Sequence, residues 1–138
     1  MLELEDDRYC FVCGSGNPCG LHLTFTREGT KTCAEFVPVR QVQGYKGIVH
    51  GGIISAVLDE VMIHAAMAED MFAVTAELRV RFKNPAHTGR PVRAEGELTR
   101  RTPRMLQGTA RLVDVATGNL LAEADAKMII TSPPVPAE

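Results

Sequence analysis

Tryptophan is absent from this sequence, and it holds only two Tyr and five Phe. That scarcity argues faintly against a site built to stack on aryl groups. A dominant charge is also missing: the formal net charge of −2 gives no case for nucleic acid or an anionic membrane as the main partner. No apolar run approaches the ~18–20 residues needed to cross a bilayer, so no membrane partner is expected. The first residues, Met1-Leu-Glu-Leu-Glu-Asp-Asp7, are acidic and lack the basic region and apolar core of a secretory signal. These absences lead to the expectation of a cytoplasmic chain. Long repeats and internal linkers are absent too, and 138 residues fit one domain.

What remains is the composition of a globular protein, 45% hydrophobic and 23% charged. A domain of this size buries roughly 68–70% of the surface its unfolded chain exposes. The four cysteines stand at positions 10, 13, 19 and 33. In a cytoplasmic chain they read as thiols or metal ligands rather than disulfides. Cys10, Cys13, Cys19 and His22 have zinc-like ligand types at fair spacing.

Residues 1–20 read as a Cys- and Gly-rich lead-in. Two strands follow, Leu21–Arg27 and Lys31–Val37, turned at Glu28-Gly29-Thr30. Gln41 to Gly52 is rich in glycine and leads into Ile53–Glu69, an apolar run whose length favours a helix. In Val74–Phe82 the residues Leu78, Val80 and Phe82 alternate with Glu77, Arg79 and Arg81, as in a half-buried strand. Three more strands are expected at Pro91–Thr99, Met105–Val115 and Asn119–Ile130, divided by Thr102-Pro103 and Thr117-Gly118-Asn119. The tail from Thr131 reads as extended and mobile. Short turns make the sheet antiparallel, and a helix apolar nearly all round must be wrapped. The expected fold is α+β, a curved antiparallel sheet around one long central helix.

Two features of that helix point to chemistry. His50-Gly51-Gly52 occupies its start, where Ser, Thr, Asp or Asn usually caps the free amides. Glycines offer no capping side chain, so those N–H groups are expected to be open to a developing oxyanion. The second feature is Asp59, a carboxylate on an otherwise apolar helix. It shares a strip with Ser55, Ala56 and Ala66 and has no local partner. Glu60, by contrast, lies one turn before His64, which can satisfy it. Gly52 and Asp59 stand about 10.5 Å apart along one helix, too far to act on one carbonyl. Two helices packed antiparallel across a twofold axis would bring one of each together, which predicts a dimer at least.

At this point the sequence resembles the hotdog-fold acyl-CoA thioesterases, in the branch that includes the phenylacetate-degradation thioesterase. The match runs through Gln43-Gly-Tyr-Lys-Gly-Ile-Val-His-Gly-Gly-Ile-Ile-Ser-Ala-Val-Leu-Asp-Glu60, with lesser matches at Cys10–Leu21 and Val74–Pro85. The resemblance implies hydrolysis of an acyl- or aryl-CoA thioester by a homodimer or homotetramer, with no metal and no cofactor. Asp59 would be general base or nucleophile, and the Gly52 N–H would polarise the carbonyl from the neighbouring chain. His50 would hold the loop or assist at the carbonyl, and Thr75 would position the attacking water. Gly51 and Gln43 would line the substrate. Arg81 and Lys83 on one strand face, or Arg104 at a turn, could hold the phosphates of coenzyme A. Met62, Ile63, Met67 and Phe72 could line an acyl pocket. Three alternatives stay open: a hotdog hydroxyacyl-CoA dehydratase, a non-catalytic acyl-CoA or ligand-binding module and, as a minor one, a zinc-stabilised interaction domain.

Overall fold

Alternating apolar residues give each strand one water-avoiding face, and the long apolar helix is what that face can bury. In the computed structural model, which describes residues 2–137, one helix packs on a six-stranded antiparallel sheet. The elements are β1 (Glu5–Asp6), β2 (Thr26–Glu28), β3 (Lys31–Phe36), a 3-10 turn at Arg40–Val42, α1 (Gly51–Met67), β4 (Phe72–Phe82), β5 (Val92–Arg101), β6 (Met105–Asp114), β7 (Leu120–Thr131) and β8 (Val135–Pro136). Across the sheet the order is β2-β3-β5-β6-β7-β4.

All four strands expected after the helix form, but only three of them make a meander. β5, β6 and β7 follow one another, whereas β4 lies beside β7 at the edge of the sheet. Residues 83–91 separate β4 from β5, too many for the tight turn that would have paired them directly. The strand expected at Leu21–Arg27 is also shorter, paired only from Thr26. Leu21 and Leu23 donate their amides to Phe11 and Val12 of the lead-in instead. Between them His22 sits at φ 53°, which breaks an extended run.

α1 starts two residues before the expected Ile53 and ends two before Glu69. At its end Asp70 adopts φ 58° and Met71 turns back to donate to the Ala66 carbonyl. The tail is extended, as expected, but its Val135–Pro136 stretch pairs in parallel with Glu5–Asp6.

Ile54, Val57, Leu58, Val61, Met62, Ala65 and Ala66 are buried and define the face that meets the sheet. That face packs with Val92, Leu106, Leu112 and Met128 in one core. Seating depends on a glycine of β5. A Cβ at Gly96 would stand 3.0 Å from Val61 Cγ1 and 3.1 Å from the Val61 carbonyl. The bare backbone of β5 thus lets the middle of the helix come down onto the sheet. The opposite strip, with Gly52, Ala56, Asp59 and Ile63 within about 60° of one another at ~100° per residue, stays partly or fully exposed.

Filling the space over β5 should therefore lift the helix. Gly96→Val is expected to lower the unfolding free energy by about 1–3 kcal/mol, the usual cost of overpacking. Urea unfolding followed by circular dichroism measures it, and an unchanged midpoint would mean that the helix is not held by this approach.

Candidate active site

Asp59 lies on α1 at the border between the buried face and the exposed strip. Thr75 of β4 donates its hydroxyl to Asp59 Oδ1 at 2.5 Å. The strand's own pattern does not lead to this contact. Leu78, Val80 and Phe82 face one way, so strict alternation would put Thr75 with Glu77 on the other side. A β-bulge between Thr75 and Glu77 inserts Ala76 and shifts the phase, which turns Thr75 toward the helix. The partner that the local sequence of the helix lacks thus comes from β4.

Burial raises the Asp59 carboxyl above its ordinary value; the Thr75 hydrogen bond opposes that shift, and the neighbouring charge of Glu60 adds to it. Glu60 behaves in the opposite way. Burial pushes it up too, but the His64 imidazole beside it and the Cys13 and Cys10 thiols hold it below the usual glutamate value. His64 Nε2 stands 3.3 Å from Glu60 Oε1, the i,i+4 pair expected from the sequence. Two adjacent carboxyls are thereby shifted in opposite directions, Asp59 up and Glu60 down.

At the start of the helix the structure corrects the reading of an uncapped end. His50 is the N-cap, and its Nδ1 accepts the Gly52 N–H at 2.8 Å. The physical reason is space. A Cβ on Gly52 would stand 3.0 Å from that Nδ1, so a glycine lets the ring fold over its amide. This geometry puts the ring proton on Nε2. A carbonyl that is to use the Gly52 amide must displace the imidazole. Gly51 meets the Phe82 ring, which a Cβ would approach to 3.4 Å.

Gln43 spends its side-chain oxygen on Gly47 N–H, so it shapes the loop before the helix. Gly44, Tyr45, Ile48, Val49, His50 and Gly51 line a cavity of about 420 Å³ there. Tyr45 lies at its rim, 88% exposed.

The basic residues do not converge. Arg81 pairs with Glu123 at 3.0 Å and Asp125 at 3.2 Å, and Lys83 reaches Glu123 at 3.8 Å. A phosphate would have to compete with those carboxylates. Arg104 is exposed in the β5–β6 turn and makes no ion pair among the described residues. Its neighbour Arg101 pairs with Glu69, beyond the C-terminal end of α1, whereas Phe82, beside Lys83, touches the helix start. The two basic groups thus lie toward opposite ends of the helix. Of the apolar residues expected to line a pocket, Met62 is fully buried in the core. Ile63, Met67 and Phe72 line a cleft of about 470 Å³. Cys10, Cys13, Glu60 and His64 share that cleft; the sequence signals Cys-x2-Cys and the Glu60–His64 pair but not that they meet.

Residues 46–120, more than half of the chain, match the thioesterase superfamily. The chain belongs to that superfamily. Zebrafish thioesterase superfamily member 2 matches with a TM-score of 0.78 at 16% identity, over 95% of this chain and 100% of that one. A phenylacetic acid degradation-related protein of Ralstonia eutropha JMP134 matches at 0.70 and 23% identity, over 79% and 85%. A protein of Streptococcus mutans UA159 bound to acetyl-CoA matches at 0.74 and 16%, over 81% and 90%. At such identities the likeness carries the fold, the hotdog arrangement of one helix on a curved sheet. No curated protein matches the sequence.

Two outcomes follow for this thioesterase-superfamily chain. His50→Ala should cost about 0.5–2 kcal/mol, as losing an N-cap does, measured by chemical unfolding. Thr75→Ala removes the bond that favours ionised Asp59, so the Asp59 carboxyl should move further up. Carbon-detected NMR titration of that carboxyl reads the shift, and a downward move would show that Thr75 does not support the charged form.

Proposed function

We propose that the chain is an acyl-CoA thioesterase in which Asp59 acts as general base. Water adds to the thioester carbonyl, and Asp59 takes one of its protons. The carbon–sulfur bond then breaks, and the proton passes to the departing thiolate, leaving free acid and coenzyme A. The Gly52 N–H of a second copy would hold the carbonyl oxygen while it carries charge, once His50 has swung off that amide. Thr75 is a positioning residue here: its hydroxyl fixes the carboxylate that takes the proton. The chemistry needs no redox cofactor.

The observation that carries this reading is the Asp59–Thr75 pair at the rim of α1, formed beside a bulge in β4. A carboxyl held above its ordinary value by burial is suited to accept a proton and release it in turn. The acetyl-CoA carried by the Streptococcus mutans protein, which has the same fold, supports a CoA thioester as substrate class. Superfamily membership points the same way. The ligand-binding alternative draws on one observation, the capping of Gly52 by His50, which a catalytic amide must give up.

The deciding experiment compares the parent with Asp59→Asn on acyl-CoA thioesters of short, long and aromatic acyl groups, following free thiol. Turnover should fall by at least roughly 100-fold, the lower end for losing a general base. Ligand affinity retained in both proteins, with no turnover in the parent, would establish the binding module instead. For the parent, kcat/KM should rise with pH to a plateau as Asp59 ionises, with its midpoint above the ordinary Asp value near ~3.9. The sign for stability is opposite to that for activity. A carboxyl raised on folding stabilises at low pH, and that contribution is lost as pH rises through its folded value. Asp59→Asn should therefore melt no lower than the parent at neutral pH, and a clear drop in Tm would show that the carboxylate is not burdensome where it sits.

A further inference from the structure

One cluster in the cleft beside α1 takes no part in the proposed hydrolysis. The Cys10 and Cys13 thiols both point at the same oxygen of Glu60, with Sγ–Oε1 distances of 3.5 and 3.2 Å. The three ligand atoms lie within 4.8 Å of one another. Behind them His64 brings Nε2 to 3.3 Å from that oxygen, yet the nitrogen is buried and makes no aligned hydrogen bond. Phe25 stacks on the imidazole at 4.1 Å between ring centroids and holds it at the edge of the cluster.

These distances have the size of the edges of a zinc tetrahedron. With Zn–S near ~2.3 Å and Zn–O or Zn–N near ~2.0 Å, a sulfur–oxygen edge is about 3.5 Å and a nitrogen–oxygen edge about 3.3 Å. The ligand set is also apt, since thiolate, imidazole and carboxylate together suit zinc. The loop is shaped for it. Gly14 donates its amide to the Cys10 carbonyl at 2.9 Å, closing a tight turn around the two cysteines. Any Cβ at Gly14 would stand 2.3 Å from the Cys10 amide, so Cys10-x2-Cys13-Gly14 tolerates no side chain there.

We propose that Cys10, Cys13 and Glu60 bind one zinc ion, with His64 rotating in from behind Glu60 as the fourth ligand. The ion would tie the N-terminal turn to α1. Cys19 and His22, the other two residues of zinc-like spacing, stay out of it. Cys19 is exposed, and the His22 ring meets the Asn17 carbonyl at 2.5 Å. Binding exchanges two thiol protons for one metal ion, and Glu60 enters as carboxylate.

The test uses the full chain, stripped with a chelator under reducing conditions and then titrated with zinc against a competing indicator. One ion per chain is expected, with about two protons released per ion in weak buffer. Cys10→Ser and Cys13→Ser should each weaken binding roughly 100-fold or more, and His64→Ala about 10–100-fold. Cys19→Ser should leave affinity unchanged. Cobalt titrated into the parent should give an intense tetrahedral spectrum with a sulfur-to-metal charge-transfer band, a readout that holds even where a cysteine variant does not fold. Zinc below one ion per chain, an octahedral cobalt spectrum without that band, or equal loss in Cys19→Ser would each overturn the site. So would a Cys10–Cys13 disulfide forming under these reducing conditions in place of bound metal.

Discussion

The molecule is organised by the approach of one helix to one bare strand. Val61 lies against Gly96, and the backbone of α1 comes down onto β5 at that point. Everything that concerns the site is measured from there. Leu58 and Met62, on either side of Val61 in sequence, are fully buried, while Asp59 is rotated to the rim of the same helix. A helix held further off would have let water reach Asp59 from below and would have moved it away from β4. The sheet thus fixes both how much the carboxyl is desolvated and which strand can touch it.

At that rim the chain sets two neighbouring carboxyls in unlike surroundings. Asp59 has one hydroxyl and is raised by burial, whereas Glu60 has an imidazole and two thiols and is lowered despite deeper burial. The difference follows from about 100° of helix rotation. One step turns Glu60 toward the lead-in and its cysteines, and Asp59 toward the edge strand. Two carboxyls side by side would otherwise repel and share their titration. Separate partners instead shift the two in opposite directions, Asp59 up and Glu60 down.

Much of this was legible in the residues. Leu78, Val80 and Phe82 announce a strand; the length and apolar character of residues 53–69 announce a helix; Thr117-Gly118-Asn119 announces a turn, where Gly118 indeed takes φ 75°. The Glu60–His64 pair follows from spacing alone. What was not legible depends on contacts far apart in sequence. The place of β4 beside β7 is a choice of the sheet, not of β4. The bulge at Ala76 leaves no mark in a strand whose residues alternate well, and only the pairing with β7 exposes it. The cap at Gly52 was missed because histidine is not a customary capping residue, although a glycine two positions after it makes room for the ring. The cysteines were legible as ligand types, but Glu60 could not be joined to them across about fifty residues of sequence.

The last constraint is one of distance. Gly52 and Asp59 share a strip of α1 but are separated by about 10.5 Å along it, so a single chain cannot aim both at one carbonyl. The strip itself resolves the difficulty under the proposed hydrolysis. Its central residue, Ala56, is small, and the Gly52 position carries no side chain at all, so a second helix running antiparallel can approach closely. Such a pairing sets the start of each helix against the middle of the other and generates two equivalent sites from one contact. It would also cover the half-exposed Asp59 and the edge strand β4, which among the described residues pairs on one side only. Burial of Asp59 would deepen as the site is completed, so the same association that supplies the oxyanion donor would strengthen the base.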